Sequence, residues 1–377
     1  MMISYKLFLA AAKVLVLATL ASVAKIKFDN KKTVEMNESR PEILPIPGAF
    51  GPESFAFDGE GGGPYTGVSD GRIIKWLGNE SRWTDFAVTS PNRIYCEGSN
   101  DHVKTEPKCG RPLGLYFSYK SGDLYIADAY LGLMVVGRDG GFAKPLAQKA
   151  QGIPFKFTNG VDVDQKSGVI YFTDSSKISQ RRDYVSVILG GDNTGRLLKF
   201  DPRTSEVTVL LDKLMFPNGV ALSKRGDFLL VAETTTCRIL KFWLNQPKGS
   251  TQVEVIAELP GFPDNIKRNR DGDFWVAIHS PRGRLLNWIL SRSWLGNFLT
   301  TKFPFDLTRA HSMLADYLRI GSGLGVKISE NGDVLETIED RKGEIWKYSS
   351  EVVEDGNGHL WVGSVKFPYA VRLKRSS

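Results

Sequence analysis

The sequence predicts an all-β protein, a six-bladed β-propeller, on three observations. First, from Gly51 onward short alternating strands are punctuated by Gly and Asp, as in Gly122-Asp123-Leu124-Tyr125-Ile126-Ala127-Asp128 and Gly226-Asp227-Phe228-Leu229-Leu230-Val231-Ala232-Glu233. Alternation with aromatic and β-branched residues between turn residues reads as hairpins and meanders. Second, the units start near Glu53, Pro112, Asn159, Asn218, Asp264 and Ser350, mostly about 45–60 residues apart, a range in which repeats form propellers. Third, an oxygen-bearing side chain precedes the strand in Phe216-Pro217-Asn218-Gly219, Phe157-Thr158-Asn159-Gly160, Phe262-Pro263-Asp264-Asn265 and Gly51-Pro52-Glu53-Ser54. Taken singly, each Asn-Gly reads as a turn. A β-sandwich leaves the repetition unexplained. Six radial units of roughly four strands bring those oxygens to one axis.

Lys6 precedes an apolar run from Leu7 to Ala24, interrupted by Lys13 and closed by the small residues Ser22 and Ala24. Residues 1–24 therefore read as a signal peptide or signal anchor. The protein is expected in the secretory pathway (endoplasmic reticulum, vacuole or extracellular space), soluble after cleavage or membrane-anchored. In that compartment Asn37-Glu38-Ser39 and Asn79-Glu80-Ser81 become glycosylation acceptors. Residues 25–48, charged and Pro-bearing, read as a linker, and 49–377 as the propeller. Between the fifth and sixth units, apolar residues recur at helical spacing among Arg284, Arg292, Lys302 and Arg309. This predicts a helical insertion over about 284–320, emerging from one face to lid the pocket, lie on a membrane or pack against a blade edge.

Bulk properties narrow the function. With 377 residues, 42% hydrophobic and 24% charged, most of the chain is globular. The net charge of +7 is scattered, without a basic block interleaved by aromatics, which argues against nucleic-acid binding. Three cysteines make no disulfide scaffold. Cys96 and Cys109 flank a polar loop, and the residues alone leave their pairing open. Cys237 reads as a strand residue.

From Gly51 to Leu373 the chain resembles the plant strictosidine synthase-like proteins. The resemblance is carried by Gly51-Pro52-Glu53-Ser54, Tyr65-Thr66-Gly67-Val68-Ser69-Asp70-Gly71-Arg72-Ile73, Cys109-Gly110-Arg111-Pro112-Leu113-Gly114, Leu124-Tyr125-Ile126-Ala127-Asp128-Ala129-Tyr130, Val169-Ile170-Tyr171-Phe172-Thr173-Asp174 and Asn265-Ile266-Lys267-Arg268-Asn269. It implies a six-bladed propeller related to gluconolactonases, paraoxonases and the adipocyte plasma membrane-associated protein, with a Cys96–Cys109 disulfide.

Two chemistries follow from the resemblance. Metal-dependent relatives hold a divalent cation, often Ca²⁺, on the propeller axis, and the matching positions here are Glu53, Asn159, Asn218, Asp264 and Asn265. Such hard oxygens suit Ca²⁺. On this reading the protein hydrolyses an ester or lactone, with Asp264 as nucleophile or base and His279 or Glu351 assisting proton transfer. His279, at the end of a strand in the fifth unit, matches a paraoxonase histidine. Strictosidine synthase itself condenses an amine with an aldehyde in a Pictet–Spengler reaction, using one glutamate and no metal. Glu351 occupies the matching position, with Ser349-Ser350 in place of the synthase's His-Phe pair, and a one-residue slip would turn it off the pocket. A non-catalytic binding propeller is the third expectation. The expected partner is a small-molecule substrate, with membrane contact through residues 1–24 and 284–320.

Overall fold

A computed structural model describes residues 33–35, 41–98, 102–246, 251–302, 308 and 322–374. Among these, six antiparallel blades of four strands stand in chain order around an axis, the first and fifth each extended by a parallel edge strand, Gly141–Phe142 and Thr33–Glu35. Their innermost strands are Phe55–Ala56, Pro112–Phe117, Thr158–Val163, Pro217–Leu222, Gly261–Arg268 and Ser349–Glu354. These lie at the six predicted unit starts.

Strand alternation builds the core between neighbouring sheets. Apolar side chains on facing sides of adjacent blades interdigitate, so each junction holds its own cluster. Trp76, Trp83 and Trp361 gather where blades six and one meet, and Phe228, Ile266 and Phe274 where four and five meet. This leaves the axis to polar groups.

Three expectations need correction. Residues 25–48 are not all linker: Glu42–Pro45 pairs antiparallel with Tyr369–Lys374 and completes the sixth blade. The chain's start thereby closes the ring on its end. Thr33–Glu35 pairs parallel with Val334–Asp340 at the rim of blade five. Cys237 lies in a turn at φ 57°, free and buried. The Asn-Gly pairs are not turns. They sit within innermost strands, at β-bulges between Thr158 and Val161 and between Pro217 and Val220. Blades two, five and six carry bulges at the equivalent place. A bulge re-aims side chains, and here it does so at one end of the axis.

Helices cover that end. Tyr184–Gly190, inserted in blade three, presses Val187 into a cluster with Leu113, Phe157 and Phe216. The Phe of each Phe-X-Asn-Gly signature thus serves as the helix's seat. Arg284–Leu290 and Ser293–Lys302 form the described part of the predicted insertion, and the second packs on the blade-three helix. Most of 303–320, the leader 1–24 and Asn37 lie outside the described residues. Among the described residues no helix is long and apolar enough to cross a membrane. Cys96 and Cys109 are bonded, with Cα atoms 5.6 Å apart.

Candidate functional site

The bulges bring Asn159, Asn218 and Asp264 to the axis beside Glu53, all buried. Each asparagine is oriented by a repeated relay. Asn159 Nδ2 donates to Ser175 Oγ at 3.1 Å, and Ser175 donates to Pro217 O of the next blade at 2.8 Å. Asn218 Nδ2 donates to Thr234 Oγ1 at 3.3 Å, and Thr234 donates to Pro263 O at 2.7 Å. A hydroxyl has one proton. Having given it to a carbonyl, it must accept from the asparagine, which identifies the amide atom facing it as Nδ2; the Asn218 amide also hydrogen-bonds Asp264. Asn159 Oδ1, Asn218 Oδ1 and Glu53 Oε2 are buried without a hydrogen-bond partner among the described residues.

Unpartnered buried oxygens are costly unless something outside the chain satisfies them. Here they are hard donors beside two buried carboxyls. Among the described residues no group of three or more His, Cys, Asp and Glu side chains gathers to hold a metal. The axial set has two carboxylates, and amides supply the rest, a composition that suits Ca²⁺. The residues fit a divalent cation, which Glu53, Asn159, Asn218 and Asp264 would hold. Asn265 takes a different part from the expected ligand: its Nδ2 donates to Glu53 Oε1 at 2.9 Å and positions that carboxylate.

The electrostatics agree. Burial, with repulsion from Asp264, pushes the Glu53 carboxyl up to about 8, although Arg111 and Arg181 oppose the shift. Burial likewise raises Asp264 to about 7, against Asn218 and Arg181. Two buried carboxyls that resist ionisation together are poised to ionise around a cation.

His279 Nδ1 lies 3.6 Å from Asp264 Oδ2, too long for a hydrogen bond. Burial, then the charges of Lys366 and Arg181, push its imidazole down to about 3. It is a neutral ring, edge-on to Tyr184, with its buried Nε2 unpartnered among the described residues.

Glu351 does reach the channel and is fully buried, with one oxygen engaged and Oε2 without a hydrogen-bond partner among the described residues. Oε1 accepts the Phe55 N–H at 2.6 Å, and Oε2 lies 3.6 Å from Lys267 Nζ. Burial pushes its carboxyl up to about 8, against Lys267. The ammonium is held by Leu115 O at 3.0 Å and by the face of Tyr116.

Sequence reasoning missed the cations around this site. Arg111 is wholly buried and donates to Gly51 O at 2.9 Å. Arg181 comes from the turn ahead of the covering helix and is held by Glu106 of the disulfide loop, at 2.9 and 3.0 Å. Arg111 stood within a quoted motif. Arg181 had no signal, since only the fold brings blade three's insertion over the axis.

The comparisons with known proteins follow this geometry. A family model described as strictosidine synthase matches residues 159–247, and one described as strictosidine synthase-like, N-terminal, matches 39–76. The chain is 50% identical over 348 residues to Protein STRICTOSIDINE SYNTHASE-LIKE 2 of Arabidopsis thaliana, covering 91% of each. It is 45% identical over 233 residues to strictosidine synthase of Catharanthus roseus, covering 61% of this chain and 65% of that one. Among solved structures it resembles a gluconolactonase from Xanthomonas campestris, with TM-score 0.57, 14% identity and 90% of each chain covered. It also resembles a calcium-binding protein, regucalcin, from Agrobacterium tumefaciens, with TM-score 0.57, 13% identity, and 92% of this chain and 98% of that one covered. At such identities the structural likeness concerns the fold.

Proposed function

The chain belongs to the strictosidine synthase-like family, and we propose that it is a divalent-cation-dependent hydrolase of small esters or lactones. The observation that carries this reading is the pair of hydroxyl relays, which turn Asn159 Oδ1 and Asn218 Oδ1 toward the axis beside Glu53 and Asp264. A divalent cation, with calcium favoured by the oxygen set, would polarise a substrate carbonyl there and stabilise the oxyanion. Asp264 is the chain's nucleophile or base. His279, pushed down to about 3, is neutral across the working pH range and too weak a base there to carry the proton itself; it lines the site beside Asp264.

The test is to purify the protein, measure bound metal, and assay aryl esters and lactones with and without chelator. Metal in the protein and turnover lost to chelator are expected. Metal-free protein with chelator-indifferent activity would sink the reading.

A second reading, amine–aldehyde condensation with Glu351 as general acid/base, has its raised carboxyl in favour. Against it stand the Phe55 N–H, which occupies Oε1, and the Lys267 ammonium 3.6 Å from Oε2, a positive charge where an incoming amine would have to sit. If tryptamine and secologanin condense and Glu351→Gln abolishes the product, this reading replaces the first. A non-catalytic binding propeller remains the outcome if metal is bound and no turnover is found.

We further propose residence in the secretory pathway. The disulfide and the exposed turn at Asn79 support it, and a mobility shift on deglycosylation tests it. Contact of the insertion with a membrane is supported by exposed Trp288 and Trp294, and co-sedimentation with vesicles tests it.

A further inference from the structure

We infer that Arg181 is a specificity residue and that the ligand taken at this site is an anion, a small ester or lactone bearing a carboxylate. The inference deepens the hydrolase reading and rests on it for turnover, though not for binding.

Arg181 touches the blade structure through one nitrogen. Its Nη1 is gripped by both oxygens of Glu106, which is itself fixed by the Tyr130 hydroxyl at 2.9 Å. Glu106 lies on the helix His102–Cys109, which ends in the disulfide and is pinned by His102 against Ser69 and Phe50. The guanidinium is therefore rigidly mounted, yet among the described residues its Nε and Nη2 have no acceptor. Its side chain keeps 14% exposure where Glu106 keeps 1%.

The mounting sets Arg181 at the site: Tyr184, three residues on, stands edge-on to His279, whose Nδ1 lies 3.6 Å from Asp264 Oδ2. The Arg181 charge accordingly acts on Glu53, Asp264 and His279. Lys366 faces His279 as well. One guanidinium nitrogen is spent on Glu106, and the Nε–Nη2 edge is left for a ligand. The planar fork of a guanidinium matches a carboxylate edge to edge.

The test uses the purified calcium-loaded protein and one pair of probes, para-acetoxybenzoate and its methyl ester, which share the scissile ester and differ in the free carboxylate. Their products, para-hydroxybenzoate and its methyl ester, serve as binding probes by calorimetry. The acid is expected to bind at least about tenfold more tightly than the ester, as a charge-assisted hydrogen bond implies. Arg181→Met should erase that preference, raising KM for the acid substrate about tenfold more than for the methyl ester. Because Arg181→Met strands Glu106, Arg181→Lys is measured beside it. The lysine keeps the charge and loses the fork, so an intermediate preference is expected.

Equal binding of acid and ester by the wild type would overturn the proposal, as would an equal loss for both probes in Arg181→Lys. If neither ester is hydrolysed but the acid binds with an Arg181-dependent preference, the anion subsite stands and the hydrolase reading falls.

Discussion

Thr234 decides which atom Asn218 turns to the axis. The asparagine amide donates to the threonine hydroxyl at 3.3 Å, and the hydroxyl spends its only proton on Pro263 O at 2.7 Å. The arrangement spans two blades, so the closed ring itself selects the exposed oxygen. Ser175 does the same for Asn159.

Thr234→Val keeps the shape and removes both hydrogen bonds. The Asn218 amide then loses one of the two acceptors that orient it and is left on Asp264 alone. Affinity for calcium should fall about 10–100-fold, the usual cost of losing a partner that orients a ligand. Titration calorimetry on folded variant and wild type reads this directly. Unchanged affinity in Thr234→Val would remove Asn218 from the ligand set.

The carboxyl pair makes stability depend on pH in a direction opposite to most acidic residues. In the chelated protein Glu53 titrates at about 8 and Asp264 at about 7, whereas unfolded carboxyls titrate near ~4. Below that unfolded value the groups are protonated in both states and cost nothing. As pH rises, the unfolded chain ionises first, so stability is lost progressively until about pH 8. Calcium, binding the ionised pair, reverses the loss and adds about 2.7 kcal/mol at a hundredfold excess over Kd. Melting curves from pH 5 to 8 should show the calcium-induced rise in Tm growing with pH. A rise that shrinks with pH would contradict this pairing.

Lys267 and Glu351 form a buried pair whose members depend on each other. Lys267→Met removes the cation that opposes the rise of the Glu351 carboxyl, which is wholly buried beside Glu53. That carboxyl is protonated below about pH 8, so denaturant unfolding at neutral pH should show little loss, and the penalty of a stranded buried carboxylate, typically about 3–5 kcal/mol, should develop as pH rises past that value. Lys267→Met combined with Glu351→Gln should recover most of it, because the amide keeps the Phe55 N–H and carries no charge. On the hydrolase reading the double variant retains ester turnover within a few-fold; complete loss in a folded double variant would instead place Glu351 in the chemistry.

The blades were legible because each repeats the same strand and turn chemistry, from Glu53 to Ser350. The axial oxygens were legible as members of that repeat. Ring closure was not. Glu42–Pro45 has four residues, of which only Leu44 is buried, and so short a stretch carries no period. Nor were Arg181 and Glu106 as a pair: they stand 75 residues apart on segments outside the repeat. Asn-Gly misled for a physical reason. Its usual meaning comes from glycine's freedom at positive φ, but neither Gly160 nor Gly219 is among the glycines at positive φ. Their use is close approach.

Gly219 shows the consequence. A Cβ there would press on Ile266 N and lie 2.7 Å from Asn265 Cα, both backbone atoms of the next blade. A Cβ on Gly160 would likewise lie 2.6 Å from Asn218 O. The asparagines converge because the residue after each has no side chain to hold the blades apart. Gly219→Ala should destabilise the protein by about 1–3 kcal/mol, the range for overpacking. It should also weaken calcium binding, since Asn218 and Asp264 flank the widened junction. Gly226→Ala is the control. That glycine has φ 79° with open space around it, so alanine should cost about 1 kcal/mol of backbone strain and leave calcium affinity unchanged. The discriminating measurement is the Kd of the two variants side by side. If Gly219→Ala loses stability but binds calcium as wild type does, the blade spacing and the oxygen set are independent, and the axis would need no glycine to assemble.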